Sequence, residues 1–189
     1  MAARSVKHGY DFEREVSNSL KLLQEVVGNN LWFMKLVDTH SFDKIKVVFK
    51  GNTNPEKLII PKVPADHLCV YNGKPTFIEC KSTKMERWNP VLAISEHQLL
   101  ASQVLELAGA TYFFFVCDRR KPRNHRMLVF TGVQMRELCR RLQRRQRAKN
   151  KKKGDSTYTW DELDATAMLI LEKQKGSVWE LNFIIGGRK

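Results

Sequence analysis

The chemistry available to this sequence centres on Asp66, Glu79 and Lys81. After Asp66 come two strand-like runs, 67–71 and 74–82, the second containing Glu79 and Lys81; joined by Asn72-Gly73, they have the pattern of a β-hairpin closed by a two-residue type I′ turn. With Asn72 and Gly73 at the turn, Tyr71 faces Lys74 and Val70 faces Pro75. Extending that register puts Asp66 opposite Glu79. Directly opposed residues have Cβ atoms roughly 4.5–5.5 Å apart, and two carboxylates that close repel unless a cation lies between them. One divalent metal ion removes the conflict, and oxygen ligands suit Mg²⁺ or Mn²⁺. Lys81 shares a strand face with Glu79 because side chains alternate. Its ammonium can orient or deprotonate a water beside the metal, or stabilise charge on an attacked phosphate. Cys80 points to the other face, leaving its backbone carbonyl as a further metal ligand. The alternative is that Glu79 and Lys81 simply cap an exposed strand end. Against it, charged side chains on a half-buried strand are rarely enclosed unless paired or liganded.

Two further polar residues are open to two readings. Glu13 sits at the edge of an apolar stripe, where it either reaches the metal site or pairs with Arg14 or Lys21. Gln98 completes a capping box with Ser95, which needs no catalytic role, yet its amide can also orient a water or touch a phosphate.

These residues need elements to position them. Phe12, Val16, Leu20, Leu23 and Val27 recur at spacings of three and four, so a helix is expected from about Gly9 to Val27, ended by Gly28-Asn29-Asn30. LWFMKLV (31–37) reads as a buried strand. Two short strands in 38–64, around Gly51-Asn52-Thr53-Asn54-Pro55, suggest a protruding hairpin. After the central hairpin, Ser95 opens a helix to about Ala108, stopped by Gly109. Strands are expected at 111–117 and 127–131. Thr131 opens a third helix and Thr159 a fourth, the latter to about Gln174, and SVWELNFII (177–185) alternates like a closing strand. The order predicts a single α/β (α+β) domain over 1–189 with a mixed central sheet flanked by helices.

The 33 Lys and Arg against 20 Asp and Glu give a net charge of +13, which points to a polyanionic partner, most commonly nucleic acid. A basic segment, 136–154, is expected as a helix running into a loop. From Arg136 to Lys153 it has ten Lys and Arg against the single acid Glu137. Arg136, Arg140, Arg141, Arg144 and Arg145 spread outward from its helical half, and with Lys84 and Arg87 they are the expected phosphate contacts. A solvated basic loop is the alternative for this run. The four cysteines show no zinc spacing and read as thiols in a reducing compartment. The N-terminal residues lack the apolar core of a signal peptide and no run is long enough to span a bilayer, so a soluble, cytoplasmic protein with no membrane partner and no small-molecule cofactor is expected.

Pro64-Ala65-Asp66, twelve residues, then Glu79-Cys80-Lys81 resembles the core of the PD-(D/E)XK nuclease superfamily. The segment Gly9-Tyr10-Asp11-Phe12-Glu13-Arg14-Glu15-Val16 resembles the first helix of Holliday-junction resolvases. Trp88 to Gln98 resembles the stretch after the catalytic lysine in RecU-type resolvases, and Gly109 with the aromatic strand 112–115 continues the likeness. Ala65-Asp66 is closer to archaeal resolvases than to RecU. The resemblance implies a restriction-endonuclease-like core and Mg²⁺-dependent endonuclease activity, with Glu13 completing the metal site and Gln98 belonging to it. It also implies a homodimer that cuts four-way junctions in DNA, as in recombination and repair, and a stalk for which 38–64 is the natural candidate. Other readings are a nuclease of the same fold acting on duplexes, flaps or ends in a repair, phage or restriction context, and a DNA-binding module without catalysis.

Overall fold

The structure is a computed structural model that describes residues 2–36, 63–121, 123–147, 156–174 and 177–186. The hairpin expected in 38–64 falls, but for its last two residues, outside the described residues, as does the basic run beyond Arg147.

The chain forms a mixed α/β fold. Helix α1 (Ala2–Val27) leads through a 3₁₀ turn into β1 (Leu31–Lys35). Strands β2 (His67–Tyr71) and β3 (Lys74–Thr83) follow, then a short strand β4 (Arg87–Trp88), α2 (Pro90–Ala93) and α3 (Glu96–Leu107). Strands β5 (Thr111–Asp118) and β6 (Asn124–Thr131) precede α4 (Gly132–Arg147), β7 (Tyr158–Thr159), α5 (Trp160–Asp164) and β8 (Leu169–Gln174). Six strands make one sheet in the order β1-β2-β3-β5-β6-β8, in which only β3 and β5 run parallel. β4 and β7 pair separately.

The hairpin register is the one the sequence predicts. His67 pairs with Ile78 and Tyr71 with Lys74, and Asn72 (φ 48°) and Gly73 (φ 76°) both take the positive φ of a type I′ turn.

The sheet is covered on both faces, which is why β5 reads as a continuous apolar run rather than an alternating one. On one face Phe113, Phe115 and Cys117 meet Phe12, Val16 and Leu20 of α1, together with Trp179 and Leu181. On the other, Tyr112, Phe114 and Val116 meet Met135, Leu138 and Leu142 of α4, with Ile94 and Trp160. All four cysteines are buried free thiols. Among the described residues no helix is long and apolar enough to cross a membrane.

Helix α1 is also tied down by charge. Glu15 takes Arg119 Nη2 at 2.8 Å and Lys173 Nζ at 3.2 Å, and Ser19 Oγ accepts from Trp179 N at 2.9 Å.

Two expectations at the C-terminal end change. The helix opened by Thr159 ends at Asp164, and residues expected in it, 169–174, form the edge strand β8 on β6. Met168 N already bonds Val129 O, and the alternation of Leu169 and Leu171 inward with Ile170 and Glu172 outward suits a strand. With that edge filled, 177–185 is not a strand. It lies as an irregular segment and a 3₁₀ turn (Asn182–Ile185) that buries Trp179, Leu181 and Ile184 against α1.

Candidate active site

β3 outruns β2. Among the described residues, β3 beyond Ile78 pairs only with β5, since its pairing with β2 ends at His67. Asp66, Glu79 and Lys81 lie where that pairing ends. Asp66 is fixed by its own backbone, its N–H donating to Ile78 O (3.0 Å) and its carbonyl accepting from Leu36 N (2.8 Å). Its Oδ2 accepts from Cys80 N at 2.6 Å. Behind it, the buried Tyr112 hydroxyl donates to Pro64 O at 2.5 Å, pinning the turn that delivers Asp66 to the site.

Glu79 is 1% exposed, so its carboxylate has left water almost completely. Its Oε1 accepts from Lys81 Nζ and from Gln98 Nε2, each at 2.5 Å. Gln98 therefore does two things. Its Oε1 accepts from Ser95 N, and its backbone N–H donates to Ser95 Oγ, closing the capping box of α3. Its Nε2 reaches the acid. The capping-box reading of Gln98 holds, and the other end of its amide, Nε2, is spent on Glu79. Glu13, on α1, is paired with Lys35 Nζ at 2.7 Å, not with Arg14 or Lys21; Arg14 pairs with Asp11. Glu13 is close enough that its charge raises the pKa values of both Asp66 and Glu79.

Burial shifts the titration of the site's acids. Burial, then the Asp66 charge, push Glu79 up to about 8, although Lys81 opposes the shift. Burial pushes Asp66 up to about 6, against the Cys80 amide bond that lowers it. Burial works against the Lys81 ammonium as well, but the charge and hydrogen bond of Glu79 outweigh it and raise its pKa. Glu13, Asp66 and Glu79 are three acids against two ammonium groups, Lys35 and Lys81, so only with every group ionised does the cluster carry one excess negative charge. Among the described residues no group of three or more His, Cys, Asp or Glu is arranged as a metal cage. Mg²⁺ does not require one, since one or two carboxylates, waters and substrate phosphates commonly complete its octahedron. The donor set therefore fits that ion, with Asp66 and Glu79 as the side chains that would hold it.

Behind the site runs a neutral hydrogen-bond chain that the sequence did not reveal. Ser17 Oγ donates to Glu13 O at 3.0 Å, so the proton in its 2.8 Å contact with His67 must come from His67 Nε2. That leaves His67 Nδ1 to accept from the Cys80 thiol at 3.9 Å. Burial, followed by the Lys35 charge, lowers the His67 pKa to about 4, which keeps the ring neutral. The chain links the backbone of Glu13 to the residue between Glu79 and Lys81. Like Tyr112 and Lys35, these are ordinary core or strand-end residues in sequence, and only the tertiary contacts mark them.

The expected phosphate contacts divide. Lys84 and Arg144 are exposed, and Arg140 and Arg141 are each 57% exposed while paired to Glu137. Arg145 stacks on Tyr158 and pairs with Glu162. Arg87, although exposed, holds Thr157. Arg136 turns inward, its guanidinium taken by Ser102 Oγ and Glu106, both at 2.7 Å, and so it joins α3 to α4.

No protein-family model matches this chain, and no curated protein matches it.

Proposed function

We propose that this protein is a Mg²⁺-dependent DNA endonuclease with a restriction-endonuclease-like core, acting on four-way junctions as a homodimer. The observation that carries the reading is the adjacent, buried acid pair Asp66 and Glu79 with Lys81 bonded to Glu79. A buried acid pair that ionises fully only with further positive charge beside it suits a site for a divalent ion. The net charge of +13 and the exposed arginines of α4 support nucleic acid as the polyanion.

Asp66 and Glu79 would hold the ion, with the Cys80 carbonyl and Glu13 as further ligands. When bound, Mg²⁺ (or Mn²⁺) supplies positive charge at the phosphate and lowers the pKa of a nearby water. The chain's own groups do the rest. Gln98 and Lys81 fix Glu79 in one rotamer, and the Cys80 amide fixes Asp66, so the acids need not reorganise when the substrate binds. Lys81, partly exposed, can turn its remaining protons to the attacking water or to a phosphate oxygen. The water releases a proton to solvent as its oxygen bonds to phosphorus, and the bond to the 3′ oxygen breaks. That oxygen takes a proton from solvent, leaving a 5′ phosphate and a 3′ hydroxyl.

The test compares a four-way junction with matched linear duplex and flap DNA in Mg²⁺ and Mn²⁺. Symmetric nicks on the junction, lost in Asp66→Asn and Lys81→Ala while DNA binding persists, are expected. Equal cutting of duplex would move the assignment to a general nuclease. Wild-type protein as inert as Lys81→Ala on every DNA would end the enzymatic reading.

A further inference from the structure

Beside Lys81 lies a half-open cavity of about 480 Å³ between α2, the start of α3 and α4. Its size falls in the range of about 300–1,000 Å³ typical of small-ligand sites. The proposed chemistry uses only one edge of it, at Lys81 and Gln98. The remaining wall is mixed: Leu92, Ile94 and Leu99 supply aliphatic surface, and Ser95, Glu96 and, from α4, Gln143 supply polar surface. Apart from Lys81 the wall has a single charged residue, the exposed Glu96, which would repel a second phosphate.

Three observations restrict the occupant. First, the wall suits a flat, uncharged group with apolar faces and a hydrogen-bonding edge, not an anion. Second, Gln143 stands on α4 three residues from Arg140 and four from Arg147, so two arginines share its helix face at the cavity mouth and suit phosphates on the strand outside. Third, Leu92 is 85% exposed at the rim, an isolated apolar side chain of the kind that wedges into a base stack.

We infer that this cavity receives an unstacked nucleobase of the strand being cut, next to the phosphate held at Lys81. The inference rests on the nuclease reading and gives it a basis for selectivity. Leu92 takes the place the base leaves, the aliphatic part of the wall covers its faces, and the Gln143 amide meets its edge. Extruding a base costs least where pairing is already broken or distorted. A site that demands this step therefore favours branch points over continuous duplex without reading sequence.

The experiment uses the full chain and four-way junctions with 2-aminopurine placed singly at each nucleotide around the branch point. Its fluorescence rises when the base leaves the stack. Titration in Ca²⁺, with binding followed by anisotropy, is expected to give a rise at a nucleotide next to the cut phosphate. The rise is expected to be lost in Gln143→Trp, which fills the cavity from an exposed helix position, and reduced in Leu92→Ala. Junction binding without a rise at any position overturns the inference, as does a rise that both variants leave intact. A rise that both variants reduce, from a protein that cuts nothing in Mg²⁺, keeps the cavity and overturns the nuclease reading. Failure to bind any junction overturns both.

Discussion

Replacing Glu79 by Gln tests the electrostatic argument without reference to any reaction. Glutamine is nearly isosteric, and its Oε1 can still accept from Lys81 and Gln98. The carboxyl of Glu79 is held up to about 8 against an ordinary 4.5. Below pH 4.5 it is protonated in both folded and unfolded chains and contributes no difference. Between 4.5 and about 8 the unfolded chain releases the proton while the folded one retains it, so wild-type stability falls as pH rises, and it levels off above the folded pKa. At 1.36 kcal/mol per unit, a shift of that size is a ceiling of about 3–5 kcal/mol at pH 8 to 9. Asp66, raised to about 6, adds a smaller fall ending nearer neutrality. Urea unfolding of metal-free protein at pH 4.5 and 8.5 should therefore find Glu79→Gln close to wild type at the lower pH and more stable by a few kcal/mol at the higher. Added Mg²⁺ should stabilise wild type at pH 8.5 and have little effect on the variant. A variant less stable than wild type at pH 8.5, or one with an unchanged pH slope, would refute the view that burial and Asp66 strain this carboxylate.

Tyr112→Phe removes the only hydroxyl on Pro64 O among the described contacts and should cost about 1–3 kcal/mol in urea unfolding, with cleavage falling while DNA affinity holds. Gln98→Glu keeps the acceptor for Ser95 N but puts a carboxylate where Glu79 received a donor, so its stability loss should grow between pH 5 and pH 8 in thermal melts. Arg140→Ala and Arg144→Ala should each reduce the slope of log K against log salt by about 1 in DNA-binding titrations, whereas Arg136→Ala should chiefly destabilise the fold, since its guanidinium is held by Ser102 and Glu106. Glu15→Ala leaves the buried Arg119 and Lys173 without their shared acid and should cost about 3–5 kcal/mol, read as a lowered denaturation midpoint.

What the sequence disclosed and what it hid have physical causes. The hairpin was legible because Asn72-Gly73 fixes a local register, and counting from a turn carries that register to Asp66 and Glu79. The capping boxes at Ser95 and Thr159 were legible because they involve residues three apart. The extent of the helix after Thr159 was not. Residues 169–174 become a strand because β6 offers an open edge, a fact about chain neighbours far away in sequence. Likewise nothing in the apolar alternation of 177–185 says that the edge it would join is already filled. Glu13 could be placed near the acids from the helix stripe and the family likeness, but its partner Lys35 lies on β1, 22 positions on, beyond the reach of helix spacing.

The ties that hold α1 have a consequence for how the molecule comes into being. Helix α1 leaves the ribosome before its partners, so its Glu15 waits for Arg119 and Lys173, and its Ser19 for Trp179, partners 104 to 160 positions later. Contacts of such long sequence separation form late because their loops are costly to close. A nascent chain can fold the hairpin bearing Asp66, Glu79 and Lys81 long before Glu13 is locked beside them. The site is therefore assembled in two stages, and only a chain extended through Trp179 presents all its acids at once.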